Sequence, residues 1–253
     1  MRPRETNNVA ISVMEAMVAP HYRKMPCMRT LLGSVALVTT TALASVGMVQ
    51  TTAWASLFDG KTTAGWHVFQ GGKADASNGW AVEDGTLVAL GNDGAKDLVS
   101  DASYENFELE VDWKLAPRAN SGIFFNVVEE GVDGIYASGP EYQLIDEDGW
   151  PDPLEAWQKA GADYAMHPPK VKAAKPVGQW NHTRIVVDRG HVTLMLNDQV
   201  TADYQMWTPE WDALRMKGKW KDYPKYGQAH RGKLGLQNHG NKIWFRSLRI
   251  RTK

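Results

Sequence analysis

The chain has 253 residues, with 28 Lys and Arg against 29 Asp and Glu, 11 Trp and a single Cys. A formal net charge of −1 without a basic tract offers no electrostatic footprint for a phosphate backbone, which sets nucleic-acid binding aside. One cysteine excludes an internal disulfide, a CxxC redox pair and a cysteine-rich zinc site, and 43% hydrophobic against 23% charged residues excludes wholesale disorder.

Residues 1–55 read as a signal peptide. Arg23, Lys24 and Arg29 precede an uncharged stretch from Leu31 to Val49, and Ala53-Trp54-Ala55 is an A-x-A site with small residues where signal peptidase needs them. The stretch approaches bilayer-spanning length, so a transmembrane anchor is the rival reading; its Thr, Ser and Gly content and the cleavage site favour removal. Met25 and Met28 just ahead of it suggest an over-extended start, and Cys27 lies upstream, so it is no lipoprotein cysteine. The expectation is a periplasmic or secreted domain, residues 56–253, with no stable membrane insertion after cleavage. Without the leader's five basic and two acidic residues it carries 23 Lys and Arg against 27 Asp and Glu and has no cysteine. That length suits one domain with a substantial core.

The domain reads mainly as strands. Trp80 to Leu90 is two short apolar runs around Asp84-Gly85, a two-residue hairpin signal. Phe107 to Leu115 alternates strictly, with Phe107, Leu109, Val111, Trp113 and Leu115 facing one way and Glu108, Glu110, Asp112 and Lys114 the other. Further strands are expected at Gly122–Val128, Glu141–Ile145, Thr183–Asp188, His191–Asn197, Val200–Tyr204, Lys233–Gln237 and Ile243–Arg251, with turns at Arg189-Gly190 and Asn197-Asp198. Only Thr208–Met216 has helical character, with Pro209 in a first turn followed by Glu210 and Asp212. Many strands and almost no helix imply an all-β jelly-roll β-sandwich of two antiparallel sheets, one with a concave ligand face. Two long loops, Asp146–Gly178 and Met206–Arg231, are rich in aromatics and therefore expected to be packed.

Tryptophan suits the C–H face of a pyranose, but burial is the competing explanation. The strand pattern assigns Trp66, Trp80, Trp113 and Trp244 to the core; Trp150, between Gly149 and Pro151 in a loop, is a candidate sugar platform, and Trp180 fits either role.

Three polar constellations carry the candidate chemistry. Glu108, Glu110 and Asp112 approach the carboxylate spacing of β-sandwich glucanases, although alternation alone explains them as a solvated face. Glu141 and Gln143 project from one face of a short strand, with Asp146 where it meets a loop, and look like a binding surface; an edge strand with a solvated face is the alternative. Asp146-Glu147-Asp148 lacks the alternating oxygen ligands of an EF-hand. The run Gly235-Leu236-Gln237-Asn238-His239-Gly240 places Gln237 and His239 at a strand end, with Arg246 on the next strand. No H-x-H or H-E-x-x-H spacing supports a dedicated zinc site.

Leu57-Phe58-Asp59-Gly60 with Gly65-Trp66, Asn106-Phe107-Glu108-Leu109, Asn120-Ser121-Gly122-Ile123, Glu141-Tyr142-Gln143-Leu144-Ile145-Asp146, Lys175-Pro176-x-Gly178-x-Trp180-Asn181 and Gly235-Leu236-Gln237-x-His239-Gly240 through Phe245-Arg246 occur in this order. Together they resemble the 3-keto-disaccharide hydrolase family over nearly all of Ser56–Lys253. One departure is Gly161-Ala162-Asp163-Tyr164, where many relatives are more apolar, so Asp148–Ala173 is expected to recognise a different sugar or aglycone. The resemblance implies a concanavalin-like jelly roll, export, and action on glycosides oxidised at C3. A C3 carbonyl acidifies the C2 proton, so the C1 oxygen can leave by β-elimination and water can add to the enone; this needs a base, an enolate stabiliser and an acid. On that scheme Glu141 or His239 is base or acid, and Asp146 an orienter or metal ligand. Asn120, Gln143, Trp150, Tyr164, Lys175, Gln237 and Arg246 are the substrate-binding candidates. No cofactor is certain, and a divalent cation that polarises the ketone stays open. The partner is a carbohydrate, and the scheme presupposes a sugar 3-oxidoreductase that makes the keto substrate. A non-catalytic carbohydrate-binding module and a conventional β-sandwich glycosidase remain the alternatives.

Overall fold

The computed structural model describes residues 53–92 and 94–253; the apolar leader stretch lies outside the described residues. Two antiparallel sheets face each other as a jelly-roll sandwich. The larger has eight strands, in the order β11 (Gln199–Gln205), β10 (His191–Leu196), β9 (Asn181–Asp188), β6 (Phe107–Leu115), β13 (Lys242–Thr252), β4 (Thr86–Leu90) and β3 (Trp80–Glu83), with β1 (Ala55–Ser56) also on β13. The smaller has five: β2 (Trp66–Val68), β5 (Leu98–Tyr104), β12 (Gly232–Leu236), β7 (Asn120–Val127) and β8 (Glu141–Ile145). The Ala55–Ser56 bond, where cleavage is expected, lies within β1, whose residues pair with Ile250 and Arg249.

Alternation builds the core between the sheets. The apolar set of β6 is buried and meets Ile123, Phe125, Tyr142 and Leu144 from β7 and β8. Strand β13 changes phase midway: Ile243 and Phe245 are buried before a bulge between Arg246 and Arg249, Leu248 within it and Ile250 after it. Ser247, at φ 53°, is where the chain kinks. Trp66, Trp80 and Trp113 are core residues as expected, but Trp244 is not. It stands on the outer face beside inward-pointing Ile243 and Phe245, with Lys114 4.5 Å and Lys242 5.3 Å from its ring.

The hairpin at Asp84-Gly85, the strands expected from periodicity and one helix are all present. The helix, α1 (Pro209–Lys217), begins with Thr208 accepting a hydrogen bond from the Trp211 N–H at 3.2 Å. Strands β2 and β5 were not expected. In β5, Ser100 replaces an apolar residue on the buried face, where its hydroxyl donates to the Ala102 carbonyl and accepts from the Leu234 N–H. Among the described residues no helix is long and apolar enough to cross a membrane.

Candidate active site

The outward face of the smaller sheet carries a polar cleft beside a small apolar cluster of Val99, Phe124, Val127 and Ile135. Tyr142 and Leu144 of β8 enter the core, so Glu141 and Gln143 must point the other way. They open into a cleft of about 640 Å³, together with Asn120 at the start of β7, Gln237 and His239 beyond β12, and Asp97 just ahead of β5. Edge strand β8 is nevertheless fully buried. Its free backbone is covered by the chain at 161–164: Gln143 N–H donates to the Ala162 carbonyl (3.0 Å), and Tyr164 N–H to the Glu141 carbonyl (2.9 Å). The same cover brings the Tyr164 ring into the cleft.

Glu141 is 5% exposed, and no protein hydrogen bond reaches its carboxyl among the described residues. Burial pushes that carboxyl up to about 8; Lys219 draws it down, while Asp97 and Asp163 add to the rise. Its room comes from Gly122. A Cβ at that position would strike the Glu141 carboxylate and come within 2.8 Å of both Glu141 Cγ and the Phe124 ring. Asp97 is pushed to about 6 by burial, partly offset by the Asn238 N–H that it accepts at 2.9 Å. Asn238 also donates to the Gly79 carbonyl at 2.9 Å, which fixes the turn carrying Gln237 and His239. Asn120 Oδ1, Gln143 Oε1 and Gln237 Oε1 are buried without a hydrogen-bond partner among the described residues, although all three side chains line the cleft. Unpaired amide oxygens at a cleft wall suit a hydroxyl-rich ligand.

The 3-keto-alpha-glucoside-1,2-lyase-like domain model matches residues 53–251. The chain belongs to this family. A curated relative from Bacteroides thetaiotaomicron, named 3-keto-disaccharide hydrolase, is 34% identical over 215 residues, covering 72% of each chain. Two crystal structures of provisionally named glycosyl hydrolases from Parabacteroides distasonis also match. One is 36% identical with a TM-score of 0.74, covering 79% of this chain and 94% of its own; the other is 25% identical with a TM-score of 0.62, covering 79% and 100%.

Within this member of the lyase-like family, five further sequence candidates gather with Glu141: Asn120, Gln143, Tyr164, Gln237 and, exposed at the mouth, His239. Four others lie elsewhere. Asp146 holds a loop closed, accepting from the backbone N–H of Arg118 (2.7 Å) and Gly149 (2.9 Å). Lys175 Nζ donates to the Trp180 carbonyl at 3.2 Å and borders a separate hollow of about 250 Å³. Arg246 lies 4.0 Å from the Trp180 ring centre and 3.4 Å from Asp112, on the larger sheet. Trp150 packs against the core and does not line the cleft. From the whole segment 148–173, the cleft receives only Tyr164. Among the described residues no group of three or more His, Cys, Asp or Glu side chains is placed to hold a metal ion.

The acidic face of β6 differs from the solvated surface expected of it. Glu108 and Glu110 are buried at 6% and 8% exposure because neighbouring strands set arginines beside them. Glu108 accepts from Arg184 and, at 2.8 Å, from Arg251; Glu110 accepts from Arg249 at 2.7 Å; Asp112 bonds His182 at 2.8 Å. Burial pushes Glu108 up, but the two arginines outweigh it and hold the carboxyl below its ordinary value. These carboxylates are committed to ion pairs on the sheet opposite the cleft.

Sequence reasoning missed Asp97, Lys219, Tyr136 and Tyr223, all of which line the cleft. Asp97 precedes β5, whose residues Leu98–Tyr104 show no clear alternation. Tyr136 lies in a 3-10 turn, Ile135–Ala137, that no signal marked; Lys219 and Tyr223 start and follow another, Lys219–Asp222, where only the aromatic density of Met206–Arg231 signalled packing.

Proposed function

We propose that this protein cleaves the glycosidic bond of 3-keto-disaccharides or 3-keto-glycosides, as an exported enzyme, by C2 deprotonation, β-elimination and hydration. The observation that best supports chemistry in this cleft is two carboxyls whose surroundings separate their proton affinities, Asp97 near 6 and Glu141 near 8. At neutral pH the first is mostly ionised and the second mostly protonated, which are the states a base and an acid need.

Asp97 takes the C2 proton, and the C–H electron pair becomes the C2–C3 double bond of an enolate with its charge on the C3 oxygen. The enolate collapses to re-form the C3 carbonyl, the C1–C2 double bond forms, and the C1–O bond breaks as Glu141 protonates the departing oxygen. Water then adds across C1–C2: Glu141 takes a proton from it as its oxygen bonds C1, and Asp97 gives C2 a proton that has exchanged with solvent, completing a net hydrolysis with both carboxyls restored. Asn120, Gln143 and Gln237 accept hydrogen bonds from sugar hydroxyls, and Tyr164 offers a ring face. His239, exposed at the mouth, borders this machinery, and the proton transfers belong to Asp97 and Glu141. Such a substrate presupposes an enzyme that oxidises a C3 hydroxyl.

The test is incubation of the purified protein with a 3-keto-disaccharide and with its unoxidised parent, following released sugar, and with substrate deuterated at C2. Release from the keto compound alone, with deuterium lost to solvent, is the expected outcome. Full retention of deuterium in the product would refute elimination, and binding without turnover would favour a carbohydrate-binding module.

A further inference from the structure

Helix α1 ends at Gly218, and a 3-10 turn, Lys219–Asp222, follows at once. Trp220 anchors that turn. Its ring is fully buried, stacks on Tyr226 at 3.9 Å and 7°, and donates Nε1–H to the Tyr164 carbonyl at 3.3 Å. With Trp220 fixed, the preceding residue is delivered to the cleft rim. There the Lys219 ammonium lies 4.6 Å from the Trp220 ring centre, 4.7 Å from that of Tyr164 and 6.0 Å from that of Tyr136. Tyr223 braces the cage edge-on, 5.7 Å from both Tyr136 and Trp220. Among the described residues no carboxylate forms an ion pair with Lys219, so aromatic faces, which accept no directed N–H bond as strong as a carboxylate's, hold the cation. Its donors stay available to a ligand in the cleft that Glu141 also lines.

We propose that Lys219 is the group that recognises the substrate's C3 carbonyl and donates a hydrogen bond to the enolate oxygen as the C2 proton leaves. This rests on the functional reading above. A carbonyl oxygen gains nearly a full negative charge in that step, so a cation held in place by rings is worth more to the enolate than to the ketone. A C3 hydroxyl undergoes no such change, so Lys219 separates keto substrates from ordinary disaccharides at the chemical step. Two features of its surroundings agree: the rings flanking the ammonium strip part of its water and push it down from its ordinary value, and Glu141 pulls it back up.

Lys219→Met keeps the stem and removes the charge and donors; Lys219→Arg keeps the charge. We expect Lys219→Met to lower kcat on a 3-keto-disaccharide by about 10²–10³-fold and to slow C2 deuterium exchange in parallel. Binding of the unoxidised parent, measured by calorimetry, should change less than threefold, and Lys219→Arg should restore part of kcat. Thermal melts confirm that both variants are folded, as expected for an exposed side chain. If the wild type is active and Lys219→Met keeps kcat within threefold, the assignment fails alone. If Lys219 is trapped by borohydride as a covalent adduct with the keto sugar, an imine replaces the hydrogen bond and the assignment also fails. A wild type that turns over no keto sugar overturns the functional reading and this assignment with it.

Discussion

Replacing Glu141 by Gln separates the cost of the site from its use. A carboxyl raised from 4.5 to about 8 in the folded protein favours the protonated form there, so folding takes up a proton between those values. Its stabilising contribution is therefore complete below about 4.5 and is lost as pH rises toward 8. At 1.36 kcal/mol per pH unit, ionisation in the unfolded chain costs the native state roughly 3 kcal/mol at pH 7 and about 5 kcal/mol above pH 8. Gln has nearly the same shape and no proton to gain, so Glu141→Gln should melt close to the wild type at pH 5 and roughly 6–12 °C above it at pH 7. Calorimetric melts of both proteins from pH 5 to 9 measure the divergence. Asp97 pushes stability the same way over its own lower range, but it is present in both proteins and largely cancels from the difference. Parallel melting curves across that range would show a solvated Glu141 carboxyl and remove the basis for its role. The same variant should lose about 10²–10⁴-fold in kcat, a gain in stability accompanied by a loss of function.

Wild-type kcat/KM on a 3-keto-disaccharide should be bell-shaped, with limbs near 6 and 8 belonging to the coupled Asp97 and Glu141 pair, and Asp97→Asn should lose the acid limb with most of the rate; a flat profile would exclude both. Gly122→Ala should cut activity by about tenfold or more by displacing the Glu141 carboxyl, while cost from overpacking stays near 1–3 kcal/mol; unchanged kinetics would mean that the carboxyl is free to move. Glu108→Gln should cost about 1–3 kcal/mol by leaving Arg184 and Arg251 without their shared carboxylate, with turnover intact; a collapse in rate with the fold preserved would revive a glycosidase centred on β6. N-terminal sequencing of protein collected outside the cytoplasm should begin at Ser56, and retention of Leu31–Val49 in a membrane fraction would refute cleavage.

Where a strand alternates cleanly, the sequence by itself determined which residues face which way. Period-two alternation over Phe107–Leu115 is a local consequence of strand geometry, and Asp84-Gly85 sets its hairpin through backbone preference alone, so both are written in consecutive residues. Glu141 and Gln143 were legible as one face of a strand for the same reason. Whether a face meets water is a different matter, because that depends on residues far away in the chain. Glu108–Asp112 and Glu141–Gln143 have the same alternating character. The former is closed by arginines from β9 and β13, while the latter is closed by residues 161–164 and opens on a cleft completed by Asp97 and Lys219. Trp244 and Arg246 show the limit from the other side: their neighbours in sequence suggested core and site, and the strand's pleat together with their place in the larger sheet put both on the outside. Charge and burial at Glu141 arise only where four segments converge, so the proton affinity that fits it for catalysis belongs to the tertiary structure and to no stretch of sequence.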